Sequence, residues 1–192
     1  MKITVGHRVI TIDAREPIIE RRPALFVDLD GTIRRPIGGV NEFIKGAWDI
    51  ELLPNSEEIL WKWKEEQDYL VFGISNQGGV ACGFKTHDQV VKETLATLKL
   101  FNYSPFDWLG LALSMDRGNR QGINGRSVSR KPGAGMVALA EQWADETLGV
   151  VIDYEDSIFV GDRPEDEMCA LRAGLDFRQA DVFFRRTTEV AS

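Results

Sequence analysis

Ala24-Leu25-Phe26-Val27-Asp28-Leu29-Asp30-Gly31-Thr32-Ile33-Arg34-Arg35 is the stretch on which the reading of this chain turns. Leu25, Phe26 and Val27 run without alternation into two acids, a glycine and a threonine. A short continuous apolar run is the pattern of a strand buried on both faces, usual in parallel sheets. Open α/β sheets bind ligands beyond the carboxyl ends of such strands, where Asp28 and Asp30 fall. Two carboxylates one residue apart repel each other, and a cation between or above them relieves the repulsion. On these residues alone, a turn carrying solvated acids is an equal alternative.

Working outward, residues 36–53 are irregular and glycine-containing, with Phe43, Ile44, Trp48, Leu52 and Leu53 available to pack the segment down. Asn55 followed by Glu58 is a capping pair that predicts a helix to about Gln67, with Ile59, Leu60 and Trp63 inward. Tyr69–Ile74 is a second buried strand, ending at Ser75-Asn76-Gln77-Gly78-Gly79. Thr86 and Gln89 cap another helix, whose Val91, Leu95 and Leu98 share one face. Trp108–Ser114 is a third strand, followed by a polar loop over 115–131. A helix over Gly135–Leu148 turns Met136, Ala140 and Trp143 to one side. Ser157–Val160 is a fourth strand that ends at Gly161-Asp162, and Pro164 and Gly174 bracket the next helix. Phe177–Phe184 holds a fifth short strand. Strands alternating with helices predict one α/β domain with a central parallel sheet and helices on both faces.

Flanking this domain, residues 1–23 form an N-terminal extension that reads as an edge strand or hairpin over 3–12 and a charged lead-in containing Pro17 and Pro23. Residues 186–192 are a C-terminal tail. The 192-residue chain is 43% hydrophobic and 28% charged, as ordinary globular proteins are. A net charge of −7 disfavours broad nonspecific binding to nucleic acid or anionic membrane. Cys82 and Cys169 match no CxxC pattern, which fits a reducing compartment. The N-terminus lacks the apolar core of a signal peptide, and no apolar run approaches a membrane span. The expected location is the cytoplasm. Oligomeric state is not legible.

Polar residues recur at the ends of three strands: Asp28 and Asp30, then Ser75 and Asn76, then Asp162. A fourth cluster, Arg130-Lys131-Pro132, immediately precedes a helix. In a parallel sheet these ends meet on one edge. Carboxylates supply the hard oxygens that Mg²⁺ uses, and Ser75, Lys131 and backbone N–H groups supply donors for an anion. Acids for a metal beside donors for an anion follow the logic of phosphoryl transfer.

The set resembles the haloacid dehalogenase (HAD) superfamily of aspartate-nucleophile phosphatases. Asp28-Leu29-Asp30-Gly31-Thr32 looks like its first motif, Ser75 its second, Lys131 its third, and Gly161-Asp162-Arg163-Pro164-Glu165-Asp166 its fourth. The resemblance covers roughly 24–185 and implies a Rossmann-like HAD fold. It implies Asp28 as nucleophile, forming an aspartyl-phosphate, and Asp30 as the acid that protonates the leaving oxygen and then activates water. It implies Mg²⁺ held by Asp28, Asp162 and the main-chain carbonyl of Asp30. Ser75 and Lys131 would bind the phosphoryl group, Lys131 also offsetting the nucleophile's charge, with Asp166 supporting the metal waters or orienting Lys131. Thr32 and Asn76 are further candidates for contact with substrate.

Ser75-Asn76-Gln77-Gly78-Gly79-Val80 and Arg130-Lys131-Pro132-Gly133-Ala134-Gly135-Met136 resemble the capless subgroup of histidinol-phosphatases, heptose-bisphosphate phosphatases and polynucleotide 3′-phosphatases. The intervals leave no room for a large cap domain. Residues 114–130 contain neither Cys nor His, so no zinc is expected; the loop instead holds Arg117, Arg120, Arg126 and Arg130. Arg130 adjoins Lys131 and is the arginine singled out for substrate. The expected substrate is a small phosphorylated metabolite, with a nucleic-acid 3′ end as the alternative and a noncatalytic phosphate-binding domain as a remote one. No membrane partner is expected.

Overall fold

A computed structural model describes residues 2–5, 10–13, 20–39, 43–113 and 129–186. Near the N-terminus, β1 (Lys2–Val5) pairs antiparallel with β2 (Ile10–Asp13). The main sheet has five strands: β3 (Glu20–Val27), β6 (Leu70–Asn76), β7 (Trp108–Ala112), β8 (Val150–Gly161) and β9 (Asp176–Gln179). Their spatial order is β7-β6-β3-β8-β9, and every pairing is parallel. The order reverses at β3, so the crevice beyond β3 and β8 is a topological switch point, where doubly wound sheets place their ligands.

The apolar run predicted as the central strand is that strand. Leu25 lies between Val71 and Ile158, and Phe26 between Phe72 and Phe159. Alternate residues then feed two cores. On one face Phe26 stacks 5.3 Å from Phe72 and 6.4 Å from Phe159, under Met136, Ala140 and Ala144 of α3 (Gly135–Leu148) and Cys169 and Ala170 of α4 (Pro164–Ala173). On the other, Leu25, Val27, Val71 and Val160 pack with Leu60 of α1 (Ser56–Trp61), Phe101, and Ala180 of α5 (Ala180–Phe183). Met136, Ala140 and Trp143 face the core together, as the periodicity predicts.

Several boundaries differ from expectation. β3 begins at Glu20 and β8 at Val150, because Glu20–Pro23 pairs with Val150–Asp153 ahead of the expected ladder. The register shifts between Pro23 and Leu25, and Ser157 Oγ accepts the Ala24 N–H at 2.8 Å, filling a gap in the ladder. The fifth strand stops at Gln179, and Ala180–Phe183 is a helical turn. Asn55 is the N-cap residue of α1, as predicted, but its side chain makes no capping bond: its φ is +63° and its amide donates to Phe184 O at 2.9 Å, tying the C-terminal segment to the start of α1. After α1 the chain continues as a π-helical turn over Lys62–Glu66.

The largest departure concerns α2 (His87–Leu98). Its Thr86–Gln89 capping box forms as predicted, with bonds of 2.7 and 3.2 Å. Two of the three residues predicted to face inward do not: Val91 and Leu95 are each 51% exposed and Leu98 is half-buried, while Val90, Glu93, Thr94 and Thr97 are buried. The helix turns a polar face to the protein because Arg34 waits there.

Beyond β3, β4 (Arg34–Arg35) and β5 (Glu51–Leu52) form a small antiparallel ribbon that closes the base of the intervening loop. Asp49 organises that loop, accepting from Ile37 N at 3.2 Å and Lys45 N at 3.0 Å. Ile44 and Ile50 are buried there, whereas Phe43 and Trp48, expected to pack, are exposed. No helix among the described residues is long and apolar enough to cross a membrane.

Candidate active site

Asp28 leaves β3 with its N–H still donating to Val160 O at 2.9 Å, so the central ladder fixes its backbone. Its side chain is buried. Burial pushes its pKa up to about 7, with Asp166 and Asp30 adding to the rise and Lys131 opposing it. Lys131 is 3% exposed and its ammonium ion-pairs with Asp28. The same nitrogen donates to Ile74 O at 2.9 Å and lies 2.6 Å from Asp166 Oδ1. Two carboxylates and one main-chain carbonyl thus surround the ammonium. Burial works against the Lys131 charge, but the two carboxylates reverse that and raise its pKa.

Asn76 holds Lys131 by the backbone. Its side-chain amide donates to Lys131 O at 3.0 Å, and its carbonyl oxygen accepts the Lys131 N–H at 2.9 Å. A candidate for substrate contact thus spends its side chain placing the lysine. Asn76→Ala strands a backbone N–H and C=O, so it should cost about 1–3 kcal/mol of stability and lower kcat through a misplaced ammonium. Denaturant titration and turnover together check this; a variant as stable and active as the parent would refute the clamp.

Asp162 follows β8, and its Oδ1 accepts from Thr32 Oγ1 at 2.9 Å. Thr32 is fully buried, so its hydroxyl orients Asp162 and does not reach solvent. Gly31, at φ +89°, lets the chain turn against the Asp162 carboxylate, where a Cβ would collide. Burial raises the Asp162 pKa, with the Thr32 bond opposing. Asp166 sits at the third position of α4, behind Pro164 as the first, and its Oδ2 accepts from Asp162 N at 3.2 Å and Arg163 N at 3.1 Å. With Oδ1 on Lys131, Asp166 ties the fourth motif to the third.

Carboxylate oxygens of Asp28, Asp162 and Asp166 lie within 4.8 Å of one another. Hard oxygen donors at that spacing suit a small divalent cation such as Mg²⁺. Asp166 is already engaged by Lys131 and two amides, which leaves Asp28 and the half-buried Asp162 as the carboxylates best able to hold it.

Asp30 stands apart from that trio. Its Oδ1 accepts from Arg34 Nε at 2.7 Å and its Oδ2 from Gln77 Nε2 at 2.6 Å, with Ser75 Oγ at 3.5 Å. Gln77 also donates to Ser75 Oγ at 2.8 Å. Burial raises the Asp30 pKa, but the Arg34 charge and the bonds from Arg34 and Gln77 outweigh it and hold the group below the usual carboxylate range. Arg34 and Gln77 were missed from sequence, although both lie inside motifs quoted for other residues. Arg130 is half-buried beside Lys131. Arg117, Arg120 and Arg126 lie outside the described residues.

The model of the polynucleotide kinase 3 phosphatase family matches residues 24–191. The chain belongs to that family. Like its relatives it is a HAD-superfamily phosphatase, a phosphoric monoester hydrolase. Among curated proteins, the D-glycero-D-manno-heptose-1,7-bisphosphate 7-phosphatase of Chlorobaculum tepidum is 29% identical over 159 residues, covering 82% of this chain and 77% of the relative. Among solved structures, a HAD-like protein of Mesorhizobium loti matches with a TM-score of 0.63 and 22% identity over 81% of this chain and 70% of that one. The D,D-heptose 1,7-bisphosphate phosphatase of B. bronchiseptica, solved with magnesium and phosphate, matches with a TM-score of 0.61 and 20% identity over 81% and 78%. These neighbours share the phosphatase's fold.

Proposed function

We propose that this family member hydrolyses a small phosphorylated metabolite, a sugar phosphate of the heptose-bisphosphate kind, through an aspartyl-phosphate on Asp28. The observation that carries this reading is Asp28 at the switch point, buried and paired with Lys131, beside Asp162. A buried carboxylate neutralised by a fixed ammonium can approach a phosphate without the repulsion that two free anions would suffer.

Asp28 attacks phosphorus while Lys131 and Ser75 bind the phosphoryl oxygens. Asp30 starts ionised, held so by Arg34. An arriving phosphate's charge shifts it toward the protonated form, which donates to the leaving oxygen. Asp30 then takes a proton from the water that hydrolyses the aspartyl-phosphate. Asp28, Asp162 and the main-chain carbonyl of Asp30 would hold Mg²⁺, which supplies Lewis-acid stabilisation of phosphoryl charge. Arg130 is proposed to meet the remainder of the substrate.

A second reading, removal of a 3′-phosphate from a polynucleotide, is favoured by the family match over 24–191. Phosphate release with Mg²⁺ from heptose bisphosphates and other sugar phosphates, beside a 3′-phosphorylated oligonucleotide, separates the two. A nucleic-acid substrate should also lose affinity steeply with salt, because each neutralised backbone phosphate adds to the slope. Preference for the oligonucleotide would overturn the metabolite reading.

The cation leaves a pH signature. Asp28 is pushed up to about 7, so below that pH Mg²⁺ must displace a proton. Its affinity should fall about tenfold per pH unit below about 7 and level off above. Mg²⁺-dependent thermal stabilisation measured from pH 5.5 to 8.5 tests this, and affinity independent of pH would count against Asp28 as a ligand.

A further inference from the structure

Arg34 is 1% exposed, a rare degree of burial for a guanidinium. Its Nε donates to Asp30 Oδ1 at 2.7 Å, and its Nη1 to Thr97 Oγ1 at 2.6 Å and Glu93 O at 3.4 Å. The backbone closes the same turn, Gly31 N–H donating to Arg34 O at 2.9 Å. Thr97 is fixed in turn by its bond to Glu93 O at 2.9 Å, and Glu93 carries the Lys85 ammonium at 2.6 Å. An apolar residue would fill this space without desolvating a charge. Turning a polar helix face inward to receive the guanidinium also leaves Val91 and Leu95 outside.

We propose that Arg34 is a positioning residue for hydrolysis, anchoring the Asp30 carboxyl to α2 so that it keeps one orientation through both proton transfers. The inference rests on the reading of Asp30 as acid and base. In the first transfer the bond from phosphorus to the ester oxygen breaks as the bond to Asp28 forms, and the ester oxygen takes the Asp30 proton. In the second, water attacks phosphorus and returns a proton to Asp30, restoring the Asp28 carboxylate and freeing phosphate. Both displacements are in line with Asp28, so the departing oxygen and the arriving water occupy the same side of phosphorus. One carboxyl orientation serves both. A planar fork that reaches the carboxylate with one nitrogen and a helix with another restrains its rotation, as a flexible ammonium would not.

The readout is kcat/KM with Mg²⁺ on phenyl phosphate against p-nitrophenyl phosphate, esters of like shape whose leaving groups differ in their need for a proton. Arg34→Met should lose about tenfold more on phenyl phosphate than on p-nitrophenyl phosphate, within the range general acid catalysis supplies. Thr97→Val, which keeps Arg34 and removes its anchor, should shift the same ratio in the same sense by a smaller factor, and it carries the test if Arg34→Met fails to fold. Asp30→Asn run alongside should be more selective than either. Selective loss in Asp30→Asn with uniform or no loss in the Arg34 and Thr97 variants overturns the positioning role and leaves Asp30 as the acid. Uniform loss in Asp30→Asn removes both.

Discussion

Lys131→Met is expected to lose about 3–5 kcal/mol of folding free energy at neutral pH, the cost of leaving a buried charge without its partner, and to lose turnover with it. The ammonium donates to Asp28 and Ile74 O and ion-pairs with Asp166, from a site 3% exposed. Methionine matches the stem but strands two carboxylates that water does not reach. The sign with pH follows from which state is charged. The variant's native state holds two uncompensated anions, so their pKa values rise well above the unfolded ones. Its stability is then greatest at low pH, where the acids are protonated, and falls as pH rises. Denaturant titrations at pH 5 and 7.5 should show the deficit narrowing at pH 5. A deficit under about 1 kcal/mol, or one that ignores pH, would mean that the lysine does not hold the site together.

Asp28→Asn should remove activity by at least about 10⁴-fold, as loss of a nucleophile does, while leaving the fold intact. Asparagine keeps the shape, and Lys131 retains Asp166 and Ile74 O. A second effect separates this from simple damage. In the parent, burial pushes the Asp28 carboxyl up to about 7 in the folded chain, well above the ordinary carboxylate range of the unfolded one. The folded state therefore holds more protons across that window, and metal-free stability falls as pH rises through it. The variant lacks that titration, so its stability should decline less between pH 4 and 7. Residual turnover near the parent's would remove Asp28 from its proposed role.

The central sheet was legible because a short unbroken apolar run, bounded by turn residues and alternating with helical segments, is the pattern of a strand buried on both faces, and the strand-end acids then had one edge to meet on. Pro164 and Gly174 marked α4 for reasons of backbone geometry alone, and both held. What failed was inference from apolar spacing where a buried charge outbid it. Val91 and Leu95 have helical periodicity, yet Arg34 claims the inward face through Thr97 and the Glu93 carbonyl. Asn55 has the chemistry of a cap, but its amide goes to Phe184 O, 129 positions away. Thr32 and Asn76 were singled out from sequence as candidates for substrate contact, and only the fold could say that their side chains face Asp162 and the Lys131 backbone. Gln77 and Arg34 were hidden for a related reason. Their partner is Asp30, whose orientation is set by the turn and not by sequence spacing.

The pairing of Leu25 with Ile158 and of Val27 with Val160 also makes the acidic pocket a gauge of strand alignment. Asp28 and Asp162 come from neighbouring strands, and slipping β8 by one residue would turn its side chains to the opposite faces of the sheet. A tight divalent site can therefore exist only in molecules whose two central strands have found their native alignment. Capture of a paramagnetic ion such as Mn²⁺ during refolding should mark when that alignment is reached, and could be timed against the growth of helical signal.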